Sequence, residues 1–136
     1  MNKKGFTMIE LMATITLLGI MLTLAVVSVS KYLNKARNTA YKDYEKTLEG
    51  AATNYFLDHT GLLPEINDPN GTKVLATTLV NEGYLENMKD PKNNSLYCNN
   101  SSYVIVKRKD NVGFNMDLEY KICLVCSKYK SSSCGG

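Results

Sequence analysis

From Phe6 to Val29 every position is apolar or weakly polar, with Glu10 as the only charge. At ~1.5 Å rise per residue this run exceeds ~30 Å as a helix, which matches the hydrocarbon core of a bilayer. Beyond it the pattern turns amphipathic. Val29, Leu33, Ala36, Ala40, Tyr44, Leu48, Ala51 or Ala52, and Tyr55 recur every three or four positions, while Lys31, Lys35, Asn38, Lys42, Glu45, Lys46 and Glu49 fill much of the other face. Gly19 and Gly50 are the only glycines between Phe6 and Gly61, and the first proline is Pro64. With no breaker, one helix from Phe6 to Asp58, roughly 80 Å long, is favoured over two helices broken near Ser28 to Lys31. Gly19 is a soft point, since it lowers helix propensity by ~1 kcal/mol.

Between His59 and Asn70 the chain is rich in turn formers, among them Gly61, Pro64 and Asn67-Asp68-Pro69-Asn70-Gly71. A short helix is predicted over Val74–Glu82, stopped by Gly83. The last third reads as β. Tyr103–Lys107 is β-branched and aromatic, Asp110-Asn111 offers a turn, and Val112, Phe114, Met116, Leu118, Tyr120, Ile122 and Leu124 then alternate. Period two puts that set on one face, against the helix stripe. The run is long for one strand, so a bend near Asp117 to Tyr120 is expected. The predicted class is α+β: a long N-terminal helix, its first half membrane-spanning, packed on an antiparallel sheet of three or four strands.

The chain has 136 residues, with 16 Lys+Arg against 13 Asp+Glu, a net charge of +3. That balance gives no nucleic-acid footprint, and the one basic cluster, Lys107-Arg108-Lys109, reads as the exposed end of a hairpin strand. Large apolar residues are few outside the N-terminal run, so the remaining domain needs staples. Cys98, Cys123, Cys126 and Cys134 supply them, and an even count points to an oxidising, extracytoplasmic setting. Cys123 and Cys126 are too far apart to bridge within one strand. The favoured pairing is Cys98–Cys123 with Cys126–Cys134, which would tie down the Ser131-Ser132-Ser133 tail. A four-cysteine zinc site is the alternative, weakened because only one C-x-x-C pair is present.

The N-terminus can be read in three ways. An ordinary secretory signal has a shorter apolar run, although Ser28-Val29-Ser30 could pass for its cut site. A plain anchor leaves Glu10 unexplained, at roughly 2.5–3.5 kcal/mol if the carboxylate sits near the bilayer centre. The third reading uses every residue. Lys3-Lys4-Gly5-Phe6-Thr7-Met8-Ile9-Glu10 resembles the class III signal of type IV pilins and type II secretion pseudopilins, with a basic leader, Gly before the cut, Phe after it, and Glu fifth in the mature chain. A looser likeness follows. Asn54–Gly61, then Leu79-Val80-Asn81-Glu82-Gly83-Tyr84-Leu85, then Lys89-Asp90-Pro91, resembles the middle of pseudopilins and Gram-positive competence pilins. A C-terminal disulfide loop also resembles the one that closes many type IV pilins.

The resemblance implies a leader over residues 1–5, cut between Gly5 and Phe6 by a prepilin peptidase, usually with N-methylation of the new terminus. Residues 6–30 would form the membrane and filament-core half of the helix, and residues 31–136 an extracytoplasmic domain. Glu10 would pair with the N-terminal amine of a neighbouring subunit, because a charge buried in an apolar medium must be paired. Implied partners are the peptidase, other pilin subunits, an assembly platform with a cytoplasmic ATPase, and the membrane before assembly. Lys31, Lys35 and Arg37 outnumber Lys3 and Lys4, which by the positive-inside rule alone favours the reverse orientation. The cysteines and the leader resemblance argue for a cytoplasmic N-terminus.

No enzyme is expected. His59 is the only histidine, no nucleophile–base set or phosphate loop is present, and Asp110, Asp117 and Glu119 are too few for a calcium loop. No cofactor or metal is expected. The different-class alternative is a membrane-anchored extracellular binding module with a disulfide-stabilised end.

Overall fold

The structure is a computed structural model that describes residues 4–109 and 117–135. Helix α1 runs Met8–Asp58, unbroken through Gly19 and through Ser28 to Lys31. It begins two residues later than the pattern predicts. The chain divides into two compact units, Met1–Ala36 and Arg37–Gly136, and α1 contributes to both.

In the first unit the side chains of α1 point outward all round, with Ile15, Leu18, Met21, Leu22 and Val26 all exposed. This stretch is long and apolar enough to cross a membrane. Its hydroxyls are absorbed by the helix itself. Thr16 Oγ1 donates to the Met12 carbonyl at 2.7 Å, Thr23 to Ile20 at 2.7 Å and Ser30 to Val26 at 3.0 Å. Such back-bonding leaves few polar groups needing water, which suits an apolar medium.

In the second unit the later part of α1 lays Tyr41, Leu48, Ala51, Ala52, Tyr55 and Phe56 into the core. The buried stripe starts at Tyr41; Val29, Leu33 and Ala36, which the periodicity includes, are exposed. The sheet that receives it has the order β1-β4-β5, all antiparallel, with β1 at Thr72–Leu75, β4 at Tyr103–Arg108 and β5 at Leu118–Cys123. Val104 and Val106 of central β4 face the helix and are fully buried. A separate hairpin pairs β2, Lys89–Asp90, with β3, Asn93–Tyr97.

Three expectations need correction. The helix predicted over Val74–Glu82 is shorter: α2 spans Ala76–Asn81, and Val74 and Leu75 belong to β1. Val74 sits opposite Val104, and that β-branched cross-strand pair overrides local helix propensity. Gly83 does end the element, at φ +84, with Tyr84 N–H donating to the Leu79 carbonyl at 2.9 Å. The bend sought near Asp117 to Tyr120 is not within Leu118–Tyr120, which are regular strand, while Leu118, Tyr120 and Ile122 do pack on the core. The expected Asp110-Asn111 turn and Val112, Phe114 and Met116 lie outside the described residues.

The third correction is the cysteine pairing. The disulfides are Cys98–Cys126 and Cys123–Cys134, not Cys98–Cys123 and Cys126–Cys134. The reason is sheet parity. Cys123 lies opposite Tyr103 on β4, so it shares the side away from Val104 and Ile122, whereas Cys98 belongs to the core cluster. The sheet separates them. The chain turns tightly after β5, with Cys126 N–H donating to the Tyr129 carbonyl at 2.8 Å and Ser131 N–H to Leu124 at 3.0 Å. That turn sends Cys126 inward to Cys98 and brings Cys134 back over Cys123.

One buried carboxylate locks this C-terminal segment to α1. Asp90 is fully buried and accepts from Tyr41 Oη at 2.9 Å, Lys92 N–H at 2.9 Å, Ser127 N–H at 2.8 Å and the Ser127 hydroxyl. Burial pushes its pKa up, but the bonds from Ser127, Lys92 and Tyr41 outweigh burial and hold it at about 2, below the ordinary 3.8. Tyr41 in turn stacks on Tyr129 with ring centres 4.3 Å apart, and Tyr129 Oη donates to Glu45 at 2.8 Å.

Candidate processing and assembly site

Lys4 to Thr7 precede the helix and are exposed, so the Gly5–Phe6 bond lies in accessible, non-helical chain. Phe6 is 90% exposed. Lys4, Gly5, Phe6, Thr7 and Glu10 line one open depression, so the structure gathers the three predicted residues Gly5, Phe6 and Glu10 at one place.

Thr7 is the organiser. Its hydroxyl accepts from Glu10 N–H at 3.3 Å, and the Glu10 carboxylate accepts from Thr7 N–H at 3.3 Å. This reciprocal pair is a capping box, which satisfies two of the donors orphaned at a helix start. Thr7-x-x-Glu10 is its sequence signature, carried by the same glutamate that the apolar run makes a buried charge. A carboxylate has about four acceptor positions. The cap uses one, so Glu10 retains capacity for a cation while it starts the helix, where its charge also suits the dipole.

The other singled-out residues are structural. Among the described residues no group of three or more His, Cys, Asp or Glu side chains gathers as a metal site, and the disulfides occupy all four sulfurs. His59 closes the end of α1. Its Nδ1 lies 2.9 Å from the Tyr55 carbonyl, its ring stacks on Tyr55, and its Nε2 is 3.8 Å from Glu82. Lys109 of the basic cluster pairs with Glu119 at 3.1 Å, which raises the lysine's pKa. Asp90 was legible only as a turn residue; nothing local marks it as the buried hub.

Residues 1–26 match the family described as the prokaryotic N-terminal methylation motif. The chain is similar to Competence protein ComGC of Bacillus subtilis, 24% identical over 90 residues, covering 57% of this chain and 92% of that protein. It is also similar to the ComG operon protein 3 homolog of Bacillus licheniformis, 26% identical over 101 residues, covering 74% of this chain and 94% of that protein. No solved structure matches it significantly. The methylation motif at the capped helix start, with a likeness that spans nearly the whole length of these relatives, makes the chain similar to type IV pilin-like proteins.

Proposed function

We propose that the chain is a structural subunit of a type IV pilus-like filament, of the competence type its relatives suggest. A prepilin peptidase cuts between Gly5 and Phe6, and the retained helix, residues 6–30, holds the subunit in the membrane until it enters the polymer. Residues 31–136 then lie outside the membrane, where the two disulfides are stable. The observation that carries this reading is the capped Thr7–Glu10 start beside an exposed Gly5–Phe6 bond.

The cut would convert the Phe6 amide into an ammonium ion at the positive end of the helix dipole, an unfavourable place for a cation. It would need a carboxylate in a medium without water. Glu10 keeps acceptor capacity beyond its own cap, so a Glu10 from an adjacent subunit can accept that amine and fix the stagger between subunits. No enzymatic role is proposed.

Two substitutions separate charge from cap. Glu10→Gln keeps a capping-box side chain but no charge; Glu10→Ala loses both. Intact mass should show loss of residues 1–5 plus a methyl group in the wild type and both variants, and neither variant should assemble. Filaments from Glu10→Gln in wild-type amounts would refute the charge pairing, and a mature chain retaining Met1 would refute the processing.

A further inference from the structure

The loop that leads from α1 into β1 carries chemistry that the assembly reading does not use. Asn70-Gly71 is the only place in the chain where Asn or Asp precedes Gly. The side-chain amide carbon of an asparagine can close a five-membered ring with the next backbone nitrogen. Glycine, with no Cβ, leaves that nitrogen unshielded. In folded chains hydrogen bonds usually tie up one or both of these groups.

Here both groups are open. Asn70 is exposed, and among the described residues it is its backbone that is bonded: the Asn70 N–H donates to Asp68 Oδ1 at 2.9 Å, an Asx turn. No backbone partner holds the Gly71 N–H among the described residues. Other asparagines differ. Ser95 N–H, the nitrogen that Asn94 would need, donates to Asn93 Oδ1 at 3.1 Å. Asn99 is buried, and its side chain accepts from Met88 N–H at 3.0 Å and donates to Asn87 at 2.6 Å. Asn100 is exposed, but it precedes Ser101, whose side chain shields the nitrogen. Gly71 is also where an altered backbone matters. Its φ is +67, a Cβ there would lie 2.3 Å from the Val106 carbonyl oxygen, and the next residue, Thr72, opens β1 opposite Val106.

We propose that Asn70-Gly71 is a self-modifying site, at which the folded chain converts Asn70 to isoaspartate and thereby loosens β1. The Gly71 nitrogen gives its proton to hydroxide and attacks Cγ of Asn70. The new Cγ–N bond forms, the Cγ–Nδ2 bond breaks, and ammonia leaves with a proton from water. Water then opens the succinimide. Opening at the backbone carbonyl leaves isoaspartate, with the chain running through Cβ and Cγ; opening at Cγ leaves aspartate. No oxidant or reductant takes part. Both products add a negative charge beside Asp68, in the turn where Asp68 N–H donates to the Glu65 carbonyl at 3.3 Å. Only isoaspartate lengthens the backbone by a methylene next to Gly71, where the Val106 carbonyl leaves no room for a shift. The reaction does not depend on whether the chain polymerises.

The test incubates the full-length protein in zwitterionic detergent micelles at physiological temperature and at neutral to mildly alkaline pH. Chymotryptic peptides, read by mass and by electron-transfer fragmentation, should show a gain of one dalton at Asn70 that grows with time and with hydroxide. Methyl transfer by a protein isoaspartyl methyltransferase should rise in parallel and disappear in Asn70→Gln. Asn100 should convert severalfold more slowly. The isoaspartate form, separated by ion exchange, should melt several degrees below both the unmodified chain and Asn70→Asp, which carries the charge without the methylene. No gain at Asn70 over weeks, or conversion of Asn100 at an equal rate, would overturn the proposal. So would an isoaspartate form that melts together with Asn70→Asp.

Discussion

Replacing Asp90 with Asn should unlock the C-terminal segment, and the effect can be sized from the carboxylate's surroundings. Oδ1 accepts from Tyr41 and Lys92, and Oδ2 from Ser127 twice. An amide can serve only one of these pairs; its NH2 would face donors on the other. Hydrogen bonds to a charged acceptor are worth ~1.5–3 kcal/mol, so Asp90→Asn should cost about 2–4 kcal/mol at neutral pH. In the second unit that is a fall in melting temperature of roughly 10 °C or more. The pH dependence supplies an independent check. The folded pKa, about 2, lies below the ordinary 3.8, so the carboxylate's contribution is present above about pH 4 and lost as pH falls through about 2. At ~1.36 kcal/mol per unit this amounts to ~2 kcal/mol. The gap between wild type and Asp90→Asn should therefore narrow by about that much on acidification from pH 6. Tyrosine near-UV circular dichroism of the full-length protein, melted across that range, measures both quantities. A variant within ~0.5 kcal/mol of wild type at neutral pH, or a gap that stays constant with pH, would refute the assignment of Asp90 as the lock.

Gly71 has φ +67, and a Cβ there would lie 2.3 Å from the Val106 carbonyl oxygen; Gly71→Ala should therefore destabilise the second unit by ~2 kcal/mol or more in thermal melts. Tyr41 and Tyr129 are raised to about 12, each by burial first and then by its bond to Asp90 or Glu45. Their stabilising share is complete below about pH 10 and lost towards pH 12, so in an absorbance titration these two should ionise late and together with unfolding, alongside Tyr84, which its bond to Asp58 also raises to about 12. For the disulfides, unreduced chymotryptic peptides cut after Leu124 should link Cys98 to Cys126 and Cys123 to Cys134, and a C123S/C134S variant should keep the Cys98–Cys126 bond; a Cys98–Cys123 peptide would refute the parity argument.

The long helix was legible because everything that specifies it is local. An apolar run, a stripe at period 3.6 and the absence of proline act within a few turns, and α1 follows them from Met8 to Asp58. Tyr41 and Phe56 fit the same spacing, Tyr41 three residues before Tyr44 and Phe56 four after Ala52, but the partners that bury Tyr41, Asp90 and Tyr129, lie far along the chain. The same holds for β1. Val74 and Leu75 read as the start of a helix until β4 is laid beside them, and strand pairing depends on a segment about thirty residues away. The β2–β3 hairpin was not read at all, since Asn93–Tyr97 is exposed throughout and has no alternation to detect.

The two chemical features of the sequence differ in the same way. Gly5, Phe6, Thr7 and Glu10 lie within six residues, so one helix start suffices to bring them together, and their order along the chain already carries the geometry. The cysteines are joined across 28 and 11 residues. Their pairing depends on which face of β5 each sulfur leaves from, and a one-residue change of parity exchanges the partners. Counting cysteines could therefore establish that staples exist but not what they staple. In the folded chain one bond fixes the C-terminal turn into the core beside Asp90, and the other draws the Ser131-Ser132-Ser133 tail across the outer sheet. That second bond also brings Ser133 to the depression lined by Lys107, Glu119, Tyr120 and Lys121, so the least legible feature of the sequence helps to shape the outer surface of the sheet.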